Sequence, residues 1–179
     1  MTTTISSSAM QHLNYQTGMF LTSAYMTLEQ NYFSNWITLQ NQYLYTPGVL
    51  GGMLVSLNNN SLSVAQGAGF DPLGNFLLLP GDSGNPVDIP SPAVSPFYVY
   101  ALYPDNSHST APVVNQSAVV AAAAAVPANG VILATVTTSN GVMTVTDSRV
   151  GVTSRLPALA PAPAAPPATA VTPAAPVAR

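Results

Sequence analysis

Charged side chains are scarce in this 179-residue sequence. Asp, Glu, Lys and Arg together make up 5% of it, against roughly 25% in a typical soluble protein, and there is no lysine. The only cations are Arg149, Arg155 and Arg179. Because they form no basic cluster, the phosphate contacts of a nucleic-acid-binding protein are missing, and attraction to an anionic membrane is equally weak. We therefore expect neither nucleic acid nor membrane as a partner.

Cysteine is also absent, which excludes a disulfide framework and cysteine-based metal sites. Residues 1–10 are rich in Ser and Thr and lack the basic and apolar regions of a secretory signal. No apolar run approaches the roughly 20 residues of a membrane-spanning helix.

The sequence instead combines 47% hydrophobic residues with many Ser, Thr, Asn and Gln. One interpretation is a neutral, well-hydrated surface. The other is a surface largely covered by neighbouring subunits, where charged side chains would be costly to desolvate. We favour the second interpretation, because the charge content is so low.

Composition and periodicity divide the chain into four segments. We predict an N-terminal arm over residues 1–25, an amphipathic helix over 26–47, a β domain over 48–155 and an extended Pro/Ala-rich tail over 156–179. The predicted fold is mainly β, a small sandwich or open barrel of six to eight strands with one packed N-terminal helix.

The helix is predicted from apolar residues at spacings of 4, 4, 3 and 4, which place them on one face. These residues are Leu28, Tyr32, Trp36, Leu39 and Tyr43. Thr27 and Gln30 suit a capping box, and Pro47-Gly48 ends the helix. We interpret the aromatic stripe as the side of the helix that packs against a sheet, rather than as a ligand platform.

After Gly48 the apolar period changes to two, which indicates strands. Asn58-Asn59-Asn60 and Ser139-Asn140-Gly141 each supply the turn of a β-hairpin. Residues 97–103 are apolar on both faces, which predicts a central strand, whereas the Ala/Val run at 119–126 suits a helix or a strand equally. Residues 80–96 are rich in Pro and Gly and are predicted to be loop.

Chemistry-bearing residues form no recognisable catalytic set. Ser83 lies in a Gly-Asp-Ser-Gly-Asn stretch similar to that of trypsin-like proteases, but neither His12 nor His108 is placed near it. Asp71, Asp82 and Asp88 match no calcium loop and are more typical of Asx turns. We predict no catalytic, cofactor-binding or metal site, hence no cofactor and no enzyme activity. Asp147 and Arg149, two residues apart, are expected to form a local ion pair.

Several short stretches resemble, in order, a family of tailed-phage tail and baseplate proteins. They cover about residues 12–150 and begin with the run His12-Leu13-Asn14-Tyr15. The others are Thr17-Gly18-Met19, Glu29 to Phe33, Asn41 to Tyr45, Gly48 to Gly52, Val64 with Gly67-Ala68, Asp71 to Gly74, Tyr98-Val99-Tyr100, Gly130 to Ala134 and Asp147-Ser148-Arg149. Similar modules occur in contractile injection systems.

The resemblance implies a non-enzymatic virion structural protein of a bacteriophage, assembled in the host cytoplasm. Such a protein acts as a viral tail, baseplate or tail-fibre attachment adaptor that holds neighbouring subunits together. Its implied partners are other tail or baseplate proteins and further copies of itself, with a trimer favoured. The chain departs from the family in Asn35 and Gln42, where basic residues are expected, and in having a Pro/Ala tail instead of a fibre shaft. These departures favour an adaptor or scaffold over receptor recognition.

The Pro/Ala tail is predicted to be extended and to run over neighbouring subunits, because its prolines prevent a helix or a central strand. Its predicted assembly contacts are Leu156, Leu159, Val171 and Val177. A capsid decoration or cement protein and a glycan-binding tail-tip module are the competing hypotheses. A hydrolase is a more distant one.

Overall fold

The computed structural model describes residues 11–81, 84–90, 95–111 and 113–157. Within these ranges the chain forms one α-helix and ten β-strands, which confirms a mainly β fold with a single N-terminal helix. The elements are α1 (Ser23–Leu44), β1 (Gly48–Gly52), β2 (Val55–Asn58), β3 (Ser61–Val64), β4 (Gly67–Phe70), β5 (Phe76–Leu79), β6 (Pro86–Val87), β7 (Phe97–Leu102), β8 (Val119–Ala123), β9 (Val131–Ser139) and β10 (Val142–Asp147).

The strands form three antiparallel sheets, in the orders β1-β4-β5, β2-β3-β6 and β10-β9-β7-β8. Apolar side chains from all three sheets meet in one core. The largest fully buried side chains are Phe97, Met53, Leu62, Leu77, Leu133, Val64, Val99 and Val136. The structure thus has ten strands in three small sheets, whereas six to eight strands were predicted.

Both predicted hairpins are confirmed, and their turns explain why. Asn59 and Asn60 join β2 to β3 with φ of 47° and 62°, and Asn140 and Gly141 join β9 to β10 with φ of 51° and 78°. Two successive positive φ angles are those of a type I′ turn, which Asn and Gly adopt with little strain and which matches the twist of the strands.

The four-stranded sheet shows which structure the Ala/Val run at 119–126 adopts. β7 lies between β8 and β9, as expected for a strand that is apolar on both faces. Ala121, Ala122 and Ala123 pair with Tyr100, Val99 and Tyr98 in register, so the Ala/Val run is a strand and not a helix.

Three strands were not predicted: β1, β4, whose Gly67 and Gly69 were assigned to a chain reversal, and β6. The glycines of β1 and β4 permit a close approach of backbones, since a Cβ on Gly69 would lie 2.5 Å from the carbonyl oxygen of Gly48. β6 has only two residues and begins at Pro86, within the segment expected to be loop. It pairs with β3 at the edge of its sheet, where proline is tolerated.

The helix differs from its prediction in both of its ends and in its burial, and it ends at Leu44 rather than at residue 47. It begins three residues earlier, at Ser23, and its N-cap is Thr22, whose side chain accepts a hydrogen bond from the Tyr25 amide, so the Thr27–Gln30 capping box is wrong. The expected burial of Leu28, Tyr32, Trp36, Leu39 and Tyr43 is also wrong, because no residue of α1 is buried. Leu28, Tyr32 and Leu39 are half-buried, and Trp36 and Tyr43 are exposed.

Candidate functional site: the exposed apolar face of α1

The C-terminal end of α1 is attached to the β domain through polar side chains. The Asn41 amide donates to the carbonyl of Gly74 at 2.9 Å, and the Gln42 amide donates to that of Leu73. Gly74 has a φ of 83°, and a Cβ there would lie 2.3 Å from the Thr38 carbonyl oxygen. The helix therefore meets its own domain on its polar side, which is the physical reason that the apolar stripe is not in the core.

The turn that receives the helix is organised by Asp71, which is 2% exposed. One carboxylate oxygen accepts from the amides of Leu73 and Asn75 at 2.9 and 2.8 Å, and the other accepts from the Asn75 side chain at 2.8 Å. Asp71 thus fixes the turn between β4 and β5, as an Asx turn does.

The segment after β10 returns to the same end of α1. Arg155 donates through its backbone amide to the Leu44 carbonyl at 2.7 Å and through Nε to the Tyr45 carbonyl at 2.6 Å. Ser154 and Tyr45 form an isolated antiparallel β-bridge. The Tyr45 ring stacks on the Phe70 ring, with the ring centroids 5.4 Å apart. These contacts satisfy carbonyls that the last helical turn leaves unpaired. They also place the start of the C-terminal tail beside the base of the helix.

The arm before α1 folds back against its N-terminal half. The His12 ring lies 5.5 Å from that of Tyr32, and the Tyr15 hydroxyl donates to the Glu29 carboxylate. That hydrogen bond raises the pKa of Tyr15, since loss of the proton would leave two negative oxygens side by side. Glu29 is the only charged residue of α1, so this contact shields the one charge on the helix.

The remainder of α1 presents large apolar side chains to solvent. We define the apolar face of α1 as these six residues: Tyr25, Met26, Phe33, Trp36, Ile37 and Tyr43. Their exposed fractions run from 40% for Tyr25 to 57% for Trp36. Surface residues of this size are ordinary when scattered, but a contiguous stripe of them marks an interaction surface.

The predicted stripe shares only Trp36 and Tyr43 with this face, and it was assigned to the side of the helix that packs against a sheet. Phe33 and Ile37 extend the predicted stripe, whereas Tyr25 and Met26 were not singled out. The scarcity of charge on the helix, with Glu29 its one charged residue, was the signal available, because an ordinary surface helix carries charged residues opposite its core face.

The predicted tail contacts lie mostly outside the described residues, which is the case for Leu159, Val171 and Val177. Leu156 is described and is 61% exposed, at the point where the chain leaves the base of α1. Of the serine stretch, Asp82 and Ser83 also lie outside the described residues.

The described acidic and histidine residues do not converge. His108 lies in an exposed loop, and His12 contacts the helix. Asp105 accepts from the Ser107 amide at 3.0 Å, and its hydrogen bonds to Ser107 lower the pKa of its carboxyl group. Over the ranges described, no group of three or more metal-ligating side chains is present.

The predicted ion pair between Asp147 and Arg149 is confirmed, with Nη2 and Oδ2 2.6 Å apart. The Arg149 hydrogen bonds lower the pKa of Asp147 to about 2. Arg149 also donates to the Gly52 carbonyl at 2.6 Å, so the pair joins the last hairpin to β1.

An open, apolar groove of about 330 Å³ lies next to the start of β1. It is lined by Pro47, Gly48, Pro72, Gly130, Val131, Ile132, Ser148 and Val150. Ser148 is its only polar side chain, so it lacks the several converging polar groups that orient a small ligand such as a sugar.

Comparisons with protein-family models, with curated proteins and with solved structures found no match to this chain. Within the described part of the chain, no helix combines the length and the hydropathy that crossing a bilayer requires.

Proposed function

We propose that this chain is a virion structural protein of a tailed phage, an adaptor of the tail, baseplate or fibre attachment that holds neighbouring subunits together. It functions as a homo-oligomer, with a trimer as the expected state. It acts by binding other proteins, and its partners are other tail or baseplate proteins.

The observation that carries this proposal is the apolar face of α1. Four aromatic side chains, Met26 and Ile37 are exposed on a helix whose hydrogen bonds to its own domain, within the described residues, come from its C-terminal end. A monomer gains nothing from leaving such a surface in water, since each buried apolar side chain contributes roughly 1.5–3 kcal/mol. A subunit that is completed by its neighbours does gain from it.

The scarcity of charge supports the same function. A freely diffusing protein commonly carries mixed charge that keeps molecules apart, and this chain has nine charged residues in 179. The resemblance of residues 12–150 to tail and baseplate proteins indicates the kind of assembly, and the Pro/Ala-rich sequence after Leu156 is predicted to provide a second means of contact.

Particle composition tests the proposal. Virions of the phage that encodes the chain, purified through two density gradients, should contain it at a fixed copy number, as measured by quantitative mass spectrometry. Antibody labelling in the electron microscope should place it on the tail or baseplate. Label on the capsid shell would instead support a decoration protein, and absence from purified particles would refute a virion role altogether.

A further inference from the structure

The apolar groove beside β1 is bordered by the segment that leads into the Pro/Ala tail. Val150 lines the groove and lies six residues before Leu156, and the two side chains are 66% and 61% exposed. Ile132 of β9, which is 38% exposed, lines it from another side. The groove is therefore an accessible surface close to the start of the tail.

The tail leaves its own subunit in a direction away from this groove. Backbone hydrogen bonds join Thr46 to Thr153 and Leu44 to Arg155, so the two segments run antiparallel. The chain thus passes from the groove towards α1. The tail starts about 10 Å beyond the groove, since three residues of extended chain separate Leu44 from Pro47, a lining residue.

The lining favours a segment with few amide N–H groups. Ser148 is its only polar side chain, and that hydroxyl already lies 2.8 Å from the Thr135 hydroxyl and 3.3 Å from the Thr146 carbonyl oxygen. An ordinary peptide would place N–H groups against side chains that cannot accept from them, which is unfavourable. Proline has no N–H, so a proline-rich segment avoids this cost.

The occupant of the groove must also be uncharged. No lining residue carries a charge, and a charged segment would lose its hydration without gaining an opposite charge. Residues 158–178 contain Ala, Pro, Leu, Val and Thr only, so the tail meets both requirements.

One stretch of the tail has the pattern of a groove-binding segment. Residues 171–177, beyond the described part of the chain, read Val-Thr-Pro-Ala-Ala-Pro-Val. Because polyproline II has three residues per turn, that conformation would place Val171, Ala174 and Val177 on one edge. Pro-x-x-Pro segments are bound in this conformation by grooves lined with aromatic rings. Here proline and aliphatic side chains would take the place of the rings.

The length of the tail allows this stretch to reach another subunit. Val171 lies 15 residues after Leu156, which corresponds to about 46 Å of polyproline II chain. We propose that residues 171–177 of one subunit occupy the groove beside β1 of a neighbouring subunit, with their Val/Ala edge against Ile132 and Val150. The inference names the surface on which the tail acts, and it rests on the proposed function for its biological setting.

A spin label in the tail tests the contact in the full chain. The sequence has no cysteine, so Ala175→Cys, outside the Val/Ala edge, offers a single attachment point for a nitroxide. Chains carrying the nitroxide are mixed with equal amounts of isotope-labelled wild-type chains. The NMR signals of Ile132 and Val150 in the wild-type chains should lose at least half of their intensity. Those of Val142, at the far end of the β9–β10 hairpin, should keep theirs.

The same experiment distinguishes other occupants. Signal loss confined to chains that carry both the isotopes and the nitroxide would show that each tail fills its own groove, and it would overturn the proposal. No signal loss in either sample would overturn it as well and would leave the groove to a different protein.

Matched variants locate the two sides of the contact. Ile132→Glu in the isotope-labelled chain should abolish the signal loss at Val150, whereas Val142→Glu, at a position 65% exposed, should leave it unchanged. In the spin-labelled chain, Val177→Glu should abolish it, and Thr172→Glu, with the same charge on another edge, should not. The tail variants leave every core residue in place, so they test the contact even if Ile132→Glu unfolds. Equal effects of Val177→Glu and Thr172→Glu would refute the Val/Ala edge.

The docking and the virion role can fail separately. A chain that is present on phage tails, but shows no signal loss between purified subunits, would overturn the docking and leave the virion role. Signal loss between subunits of a chain that is missing from purified particles would do the reverse.

Discussion

Asp71 is the one buried polar or charged residue of the described chain. Its carboxylate is 2% exposed and accepts three hydrogen bonds, two of them from backbone amides. The turn it fixes also provides the carbonyls that Asn41 and Gln42 hold, so one side chain links the β domain to the attachment of α1.

Replacing this residue tests that role. Asp71→Ala should lower the free energy of unfolding by about 3 kcal/mol, because the part-buried amides of Leu73 and Asn75 lose the charged acceptor that fixes the turn. Asp88→Ala, at an exposed position, should change it by less than about 0.5 kcal/mol. Urea unfolding followed by circular dichroism measures both, and equal values would show that the Asp71 hydrogen bonds contribute little.

The Asp147–Arg149 pair gives a prediction in pH. The folded pKa of Asp147, about 2, lies below the ordinary 3.8. The carboxylate therefore favours the folded state above pH 3.8, and this contribution is lost as the pH falls through about 2. A carbon-detected NMR titration should give a midpoint near 2 for Asp147.

Arg149→Met should return that midpoint towards 3.8, because the principal hydrogen bonds to the carboxylate come from Arg149. Arg155→Met removes an equal charge that contacts Tyr45 instead, and it should leave the Asp147 midpoint where it is. A wild-type midpoint near 3.8 would contradict the ion pair in solution.

At the scale of elements, Trp36 and Phe97 separate interface from core. Trp36 is 57% exposed, and Phe97 in β7 is fully buried. At a concentration where the chain is monomeric, Trp36→Ala should change the free energy of unfolding by less than about 0.5 kcal/mol. Phe97→Ala should lower it by about 3–5 kcal/mol. A loss of that size in Trp36→Ala would mean that the helix packs against its own sheet.

Elements that depend on neighbouring residues were predictable from the sequence. Asn59-Asn60 and Asn140-Gly141 determine their hairpins locally, because few other pairs adopt two positive φ angles. β1 was not predictable, since its pairing depends on how closely two glycine-containing strands approach.

The direction in which α1 faces could not be predicted either. Periodicity shows which residues share a face, but not what that face contacts. Here Asn41 and Gln42 find their acceptors more than 30 residues away, at Gly74 and Leu73, and that contact turns the apolar side outwards. The candidate site was thus visible as a stripe, while its exposure required the tertiary structure.

At the scale of the whole molecule, the segment after β10 returns to the C-terminal end of α1. Arg155 is held at the base of α1 by two hydrogen bonds, and Leu156 beyond it is exposed. The residues that follow are almost all Ala and Pro, with no charged side chain before Arg179. Because Leu156 lies beside α1, we expect the segment that follows it to reach a neighbouring subunit.

Ordering such a tail requires a surface outside it. Each ordered residue costs roughly 1–2 kcal/mol of backbone entropy, which proline reduces by restricting the unfolded chain in advance. Contacts through Leu156, Leu159, Val171 and Val177, with backbone carbonyls free to accept hydrogen bonds, would offset the remainder on a neighbouring subunit. We therefore expect the tail to act as a strap between subunits.

Deleting residues 157–179 tests the strap. The isolated subunit should keep its melting temperature, because every core residue lies before the deletion, while its copy number in purified particles should fall at least tenfold. As a control, a variant with its tail prolines and alanines in shuffled order separates composition from specific contacts. Wild-type copy number in the truncated protein would refute the strap, and so would crosslinks from the tail to its own domain alone.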